Sequence, residues 1–341
     1  MKQKVAVALS GGIDRSTAAH LLLQQGHEVK GFYLKLFKES NPTRAQLVAE
    51  RLKIELEVVD FTKEFETVVI NHFLSTYLSG ATPNPCIICN PQIKFGQLFD
   101  VAKSQGFSTF ATGHYARLVC DEHGKFHLLR ALSSKKDQSY FLYGIPKYRL
   151  KNISFPMGDM TKDEAKKIVE RENIPASSGE SQDVCFLVGG NYREFLKQKV
   201  KDLPKEGEIV DVFGRHRGKH SGFFNYTVGQ RHGLGIRARY PLYVVRIEAE
   251  NNRIIVGRER DLYKDKIVVG DLNILEDVNE SFTALVQIRA SLAPELADVR
   301  IAGSKAFVDF KSPVRAPTPG QAAVFYKDDM VLGGGCIEKV E

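Results

Sequence analysis

The chain has no apolar run approaching the roughly 20 residues that a membrane-crossing helix needs. Its first residues, Met1-Lys2-Gln3-Lys4-Val5, lead straight into a strand-like segment, with no apolar stretch of signal-peptide length and no cleavage site. The expectation is a protein of the cytoplasm with no membrane partner. Cysteine is scarce: five residues, an odd number in a chain without an export signal, argue against a disulfide scaffold. Cys86 and Cys89 form a C-x-x-C, but no second pair of that kind exists, so no structural metal is expected. Thiol chemistry is the better use for these residues. The G-x-x-x-x-G-K-[ST] loop and the dinucleotide G-x-G-x-x-G are both missing, as are long-period repeats and low-complexity tracts.

What is present fits a soluble globular protein of two or three domains: 341 residues, 43% hydrophobic and 26% charged. The formal charge of +7 suggests an anionic partner, although a lysine-rich solvated surface explains it equally well. Val5 to Leu9 reads as a buried strand closed by Gly11-Gly12, and Ser16 to Gln25 has helical spacing ended by Gly26. Strand-like segments follow at Glu28 to Leu36, Leu56 to Asp60 and Thr109 to Thr112. Helical ones lie around Ala45 to Leu52, Phe65 to Leu78 and Phe95 to Gln105. Alternation of this kind predicts an α/β domain, a parallel sheet with helices on both faces, over residues 1–200. Beyond Gly207 short β-type runs alternate with Gly, Asn-Asn and Asp turns. They predict a small central, mostly β domain over 201–263 and a C-terminal β-barrel-like domain over 264–341.

The first turn reads Ala8-Leu9-Ser10-Gly11-Gly12-Ile13-Asp14-Arg15-Ser16. A glycine pair between a first strand and a helix lets backbone N–H groups approach an anion, and the helix N-terminus adds partial positive charge. The segment resembles the S-G-G-x-D-S phosphate loop (PP-loop) of the ATP pyrophosphatases, which adenylate a substrate and release pyrophosphate. Arg15 departs from that pattern, which has serine there. Its guanidinium would either add a phosphate contact or fill phosphate space, while Ser10 and Ser16 still offer hydroxyls.

Two further segments carry thiols. Thr82-Pro83-Asn84-Pro85-Cys86-Ile87-Ile88-Cys89-Asn90 is a turn stiffened by two prolines, suited to a reactive loop. Glu180-Ser181-Gln182-Asp183-Val184-Cys185-Phe186-Leu187 places a lone cysteine beside Phe-Leu, which by itself is more often core than chemistry. Together with the phosphate loop these segments resemble the tRNA-specific 2-thiouridylases nearly end to end. The shared motifs continue through Ile93-Lys94-Phe95, Ala111-Thr112-Gly113-His114-Tyr115-Ala116-Arg117 and Lys136-Asp137-Gln138-Ser139-Tyr140-Phe141. Next come Tyr226-Thr227-Val228-Gly229-Gln230-Arg231 with Gly233-Leu234-Gly235-Ile236, then Thr318-Pro319-Gly320-Gln321-Ala322 and Val331-Leu332-Gly333-Gly334-Gly335.

The resemblance implies ATP-dependent adenylation of C2 of a wobble uridine in tRNA, followed by sulfur transfer from a cysteine persulfide. Cys185 would carry the persulfide and Cys89 would resolve the transfer, since one sulfur attacks while another accepts the disulfide left behind. A mobile loop around Cys185 would close on substrate. Cys86 stands where many relatives have Asp, and would either shuttle the base proton or simply wall the base pocket. Asn84, Pro85 and Cys86 would face the target base, with His114 nearby or only making a structural hydrogen bond. Lys136, Asp137 and Gln138 would touch tRNA, as would Arg289 and Gln321. Ala290 replaces the Tyr of relatives, which weakens one contact. Gly113 and Leu34 would line the adenine pocket, Mg2+ would accompany ATP, and a persulfide donor protein would load the sulfur. Two other readings stand beside this one: a different adenylating ATP pyrophosphatase, or a tRNA-binding relative whose catalysis Arg15 has impaired.

Overall fold

The computed structural model describes residues 2–177, 184–187 and 191–341. The first part of the chain contributes β1 (Lys4–Ala8), β2 (Glu28–Lys35), β3 (Leu56–Asp60), β4 (Thr109–Ala111), β5 (Ala116–Cys120), β6 (Phe126–Arg130) and β7 (Ile153–Ser154). Five of these form a parallel sheet in the order β3-β2-β1-β4-β7. A strand whose two faces are both apolar must be covered on both, and β1 is apolar and buried from Val5 to Ala8. Val5 and Val7, with Leu9 beyond the strand, pack with Ala18 and Leu22 of α1 (Ile13–Gln24) and Val48 of α2 (Thr43–Leu52). Ala6 and Ala8 face the opposite way, with Phe32, Phe65, Phe73, Ile93 and Leu98. The period of two along each strand therefore sorts the side chains into two cores, with helices on both faces.

The helical cover of the second face departs from ideal geometry. Residues 62–78 are α-helical at both ends and π-helical over Glu66–Ile70. Residues 85–104 begin as an α-helix at Pro85–Cys89 and widen into a π-helix over Asn90–Leu98. Pro91 has no N–H to give the carbonyl one α-turn back, which breaks the α ladder where the wider turn begins.

A four-stranded sheet follows, ordered β10 (Tyr243–Glu248), β11 (Arg253–Gly257), β8 (Gly207–Asp211), β9 (His216–His220), with β8 parallel to β11. The last segment is antiparallel: β12 (Tyr263–Ile274), β13 (Ser281–Gln287), β14 (Glu295–Ala302), β15 (Lys305–Arg315), β16 (Ala322–Lys327) and β17 (Met330–Val340). Their order β12-β15-β14-β13-β16-β17, closed by β12 on β17, makes a six-stranded barrel. The β5–β6 hairpin of the first domain joins it through Leu129 opposite Met330.

The sequence reading assigned neither β9 nor β14, nor the hairpin, nor the helices Lys162–Arg171 and Tyr192–Lys199. Strand β9, His-Arg-Gly-Lys-His, has no apolar residue to register, and β14 alternates charged outward residues with Ala297 and Val299 inward. The helix Lys162–Arg171 did carry a signal. Thr161 accepts from the Glu164 N–H while the Glu164 carboxylate accepts from Thr161 N (2.7 Å), a capping box. Thr161→Ala is expected to lower stability by about 1 kcal/mol, read as a lower denaturant midpoint; an unchanged midpoint would mean the box adds nothing.

Candidate active site

Strand order reverses between β1 and β4, and in an open α/β sheet ligands bind in the crevice at the carboxyl ends of such a pair. Residues 9–16 leave β1 into this crevice, and 112–115 leave β4 beside them. The two loops touch at Gly113, where a Cβ would lie 2.7 Å from the Arg15 nitrogen. No other residue fits there without moving one loop. Gly113 thus packs on the start of α1, while Leu34 is buried beneath in the core of the second face.

Gly11 adopts φ +80°, and Gly12 bridges to Ser177 through the bonds that flank it: Ser177 N donates to Gly11 O (2.8 Å) and Ile13 N to Ser177 O (3.4 Å). Ala8, Leu9 and Ile13 are buried and anchor the turn. A Cβ on Gly12 would meet only the Ser10 hydroxyl, at 3.7 Å, so that face of the turn is open. The Ser16 hydroxyl is completely buried and has no hydrogen-bond partner. A buried hydroxyl left unpaired is costly. Together with free N–H groups at a helix start, it fits a phosphate group.

Asp14 points the other way. Its Oδ1 accepts from the Tyr115 hydroxyl (2.7 Å) and from Lys162 Nζ (2.6 Å). The loop's one carboxylate is thereby tied to the loop after β4 and to the helix Lys162–Arg171. Tyr115 and Lys162 escaped the sequence reading because their link to Asp14 spans 101 and 148 residues.

Arg15 has no hydrogen-bond or ion-pair partner among the described residues. Burial pushes its guanidinium below the ordinary arginine value, and the nearby Cys185, Cys89, Asp14 and Tyr33 oppose that shift. The arginine that replaces the phosphate loop's serine therefore feels the charge of both thiols.

The thiols come from two segments. Asn84 Oδ1 accepts from Cys86 N (3.2 Å), and Pro85 sits buried in the first turn, so the Asn-Pro pair starts the helix that carries Cys86 and Cys89. Cys86 is exposed; Cys89 is buried at 6% exposure. Burial pushes the Cys89 thiol up to about 11, against the pull of Lys94 and Arg15. Cys185 is exposed, yet the protein around its sulfur also pushes it up, with Lys94 the leading opposing charge. Phe186 explains its placement: the ring is buried edge-on against Phe65 and Phe73, at 5.7 and 5.1 Å between centroids, and tilted on Phe195 at 5.3 Å. The apolar neighbour that made Cys185 resemble a core residue is the anchor that leaves the thiol outside. Glu180 to Asp183, the rest of that motif, lie outside the described residues.

His114 shares a 2.7 Å contact with the Thr112 hydroxyl, and burial, with Lys94 and Arg15 beside it, lowers its imidazole well below the ordinary value. It is neutral at physiological pH.

The residues expected to touch RNA are largely engaged within the protein. Asp137 accepts from Ala131 N (3.0 Å), the Ser139 hydroxyl (2.9 Å) and Arg130 (3.2 Å). Gln138 exchanges hydrogen bonds with the backbone of Tyr115 (3.0 and 2.8 Å). Lys136 is half-buried, and Ala290 is exposed. Arg289 donates to the carbonyls of Val228 (3.1 Å) and Ala316 (3.2 Å) and to the Thr318 hydroxyl, joining barrel and central domain. Gln321 donates to the carbonyls of Thr82 (2.9 Å) and Pro83 (3.4 Å), while Thr82 N donates to Pro319 O (2.9 Å). The barrel thus grips the turn that presents Cys86 and Cys89.

A basic surface that the sequence reading missed lies on the central domain, where Arg217, Arg237, Arg239 and Tyr240 line a groove. Arg258 stacks 4.1 Å over the Tyr240 ring. Arg237-Ala238-Arg239-Tyr240, with an aromatic beside closely spaced cations, was its signal. The sequence also has an H-x-x-x-H, His216 and His220 of β9. Gly222 N donates to one ring nitrogen of His220 (3.1 Å), and the other lies 3.0 Å from Asn252 O. Among the described residues no group of three or more His, Cys, Asp or Glu is arranged to hold a metal, and no helix is long and apolar enough to cross a membrane.

Residues 3–189 match the family described as tRNA methyl transferase HUP domain, 193–258 that described as tRNA methyl transferase PRC-barrel domain, and 264–337 that described as aminomethyltransferase beta-barrel domain. The chain is similar to a tRNA-specific 2-thiouridylase of Carboxydothermus hydrogenoformans, at 42% identity over 99% of this chain and 98% of the relative. Those of Pseudothermotoga lettingae (40%, covering 99% of each chain) and Pelobacter propionicus (42%, covering 98% and 97%) are similar throughout as well. The family descriptions speak of methyl transfer and the full-length relatives of thiolation.

If burial holds Cys89 protonated, its alkylation, followed peptide by peptide, will rise with a midpoint near about 11. A midpoint at the ordinary thiol value would contradict a buried, desolvated sulfur.

Proposed function

The chain belongs to the tRNA-specific 2-thiouridylase family, and from that premise we propose that it is a tRNA-uridine 2-sulfurtransferase, consuming ATP and releasing AMP and pyrophosphate. What supports this reading is that Cys89 feels the charge of Cys185, and both feel Lys94 and Arg15, the arginine of the phosphate turn. Methyl transfer has no use for two such thiols; sulfur transfer needs both.

The N–H groups of the turn left over after Ile13 N bonds Ser177 O and Ser16 N bonds Gly12 O, with the hydroxyls of Ser10 and Ser16, hold the ATP phosphates. Magnesium would accompany those phosphates and offset their charge. The wobble uridine lies over Asn84 and Cys86, its C2 oxygen attacking the α-phosphorus as pyrophosphate leaves and the N3 proton departs. The terminal sulfur of a Cys185 persulfide then attacks C2 and AMP leaves. A Cys89 thiolate attacks the Cys185 sulfur, the S–S bond breaks, and the electron pair goes to the sulfur now on C2. N3 takes a proton back and the base becomes 2-thiouridine. A Cys89–Cys185 disulfide remains, which two electrons from a thiol reductant reopen before a donor protein reloads Cys185.

Cys86, exposed beside Asn84, is the candidate for handling the N3 proton, because burial, with Lys94 and Arg15 nearby, leaves the His114 imidazole a weak base. The Arg217–Tyr240 groove supplies cations and an aromatic face for the tRNA backbone. The cytoplasm, where tRNA and ATP meet, is its place of work. The position of Arg15 beside the thiols speaks against an impaired relative.

The test is incubation with ATP, magnesium, a small-molecule persulfide whose outer sulfur can load Cys185, a thiol reductant and unmodified transcripts carrying a wobble uridine, followed by nucleoside mass spectrometry. Thiouridine is expected only with ATP, and Cys185→Ser is expected to abolish it. No product from a preparation that still binds tRNA would overturn the reading. On the Cys86 assignment, Cys86→Ser is expected to lower turnover roughly 100-fold, at the low end for loss of a general acid–base; full activity would make it only a wall of the pocket.

A further inference from the structure

The turn between β8 and β9 carries the most exposed large apolar side chain among the described residues, Phe213, at 74% exposure, with Val212 exposed beside it. A single surface phenylalanine needs no explanation. What sets this one apart is how firmly the chain holds it out. Asp211 is buried, and its Oδ1 accepts from Phe213 N (2.9 Å) and from Arg215 N (3.0 Å). Asp211 N donates to Arg215 O (2.9 Å) and Gly214 N to Asp211 O (2.8 Å). Gly214, at φ +78°, supplies the left-handed residue that a three-residue hairpin loop needs. The tip is stiff, and it leaves in water an apolar ring whose burial would stabilise the fold.

The same carboxylate ties the tip to the cationic groove of the central domain. Asp211 Oδ2 accepts from Nε (3.1 Å) and Nη2 (2.6 Å) of Arg217, which fixes that guanidinium at two points. Arg217 lines the groove with Arg237, Arg239 and Tyr240. On the tip itself Arg215 stands 5.5 Å from the centre of the Phe213 ring, as Arg258 stands 4.1 Å over Tyr240. The acids of this sheet are engaged elsewhere: Glu206 with Lys219, Glu208 with Arg253, and Glu248 with Arg246. Arg215, Arg237 and Arg239 have no ion-pair partner among the described residues.

An acidic protein surface would use these cations and leave the ring idle, and an apolar one would do the reverse. A nucleic acid offers phosphates for guanidinium groups and flat base faces for an aromatic ring, side by side. We propose that the β8–β9 tip is an RNA-stacking element: Phe213 stacks on an exposed base of the tRNA while Arg217, Arg237 and Arg239 follow the phosphates beside it. Every base has such a face, so the tip adds affinity and does not select sequence. The inference rests on tRNA being the substrate, and adds to that reading a base contact far along the chain from the thiol segments.

The chain contains no tryptophan, so Phe213→Trp places a single indole reporter at the tip. Titrated with an unmodified tRNA transcript, this variant is expected to bind as tightly as wild type, its emission quenched as the indole stacks. Phe213→Ala and Phe213→Leu, followed by the anisotropy of a labelled transcript, are each expected to weaken binding about tenfold, the loss of one base–aromatic stack, with an unchanged dependence on salt. Arg237→Gln is expected to lower the slope of log affinity against log salt by about 1. Wild-type affinity in Phe213→Ala, or a Phe213→Trp that binds without quenching, would overturn the proposal; a tip that docks a protein would give the first result. Full affinity in Phe213→Leu would overturn it too, since leucine keeps the apolar bulk without the flat face. Wild-type protein that binds no tRNA would overturn the functional reading as a whole and this inference with it, whereas wild-type binding that is indifferent to Phe213 would remove this inference alone.

Discussion

The site depends on one close approach. Between β1 and β4 two loops leave the sheet side by side, and Gly113 lets the second lie directly on the backbone of Asp14 and Arg15. From that contact follow the hydrogen bond from Tyr115 to Asp14, the position of His114, and the burial of the Ser16 hydroxyl at the helix start. A side chain at residue 113 would have to push the phosphate turn away from the loop that closes it. The rest of the architecture brings sulfur chemistry to this crevice.

The barrel does much of that work at a distance. Gln321 and Pro319 hold the Thr82–Pro83 turn, so the helix bearing Cys86 and Cys89 is fixed from outside its own domain. Tyr140 donates to Ala322 O (3.0 Å), Ser139 shares a 3.2 Å contact with the Tyr326 hydroxyl, and Arg130 stacks 3.6 Å over the Tyr326 ring. Asn273 donates to the carbonyls of Tyr143 (2.6 Å) and Ile145 (2.9 Å). Motifs whose resemblance suggested RNA contact thus have a second physical reason to be what they are. Lys136 to Phe141 and Thr318 to Ala322 contain the residues that weld the barrel to the first domain.

Much of the fold was legible because it follows from local pattern. Apolar runs at β1, β2 and β3 had to be covered on two faces, and the observed strands fall within a few residues of those read from the sequence. Features that depend on the folded context were not legible. Strand β9 has no apolar alternation, and the π turn beginning at Asn90 leaves no periodicity to read in so short a stretch. The phosphate turn and both thiol segments could be named from sequence, but not their distance from each other. Lys162 and Tyr115 gave no sign of meeting Asp14, since no periodicity links positions so far apart. Arg15 was the ambiguous case, readable as a phosphate ligand or an obstruction. Its guanidinium is lowered by burial and opposed by Cys185, Cys89 and Asp14, a context that the motif alone could not give.

The central claim is that thiols from two distant segments, Cys89 and Cys185, pass sulfur between them. Persulfide-loaded enzyme taken through a single turnover on tRNA with ATP, without reductant, and then digested for disulfide mapping, tests it most directly. The account expects a Cys89–Cys185 disulfide formed in step with thiouridine. A Cys86–Cys89 disulfide, or thiouridine formed with both sulfurs still free, would contradict it.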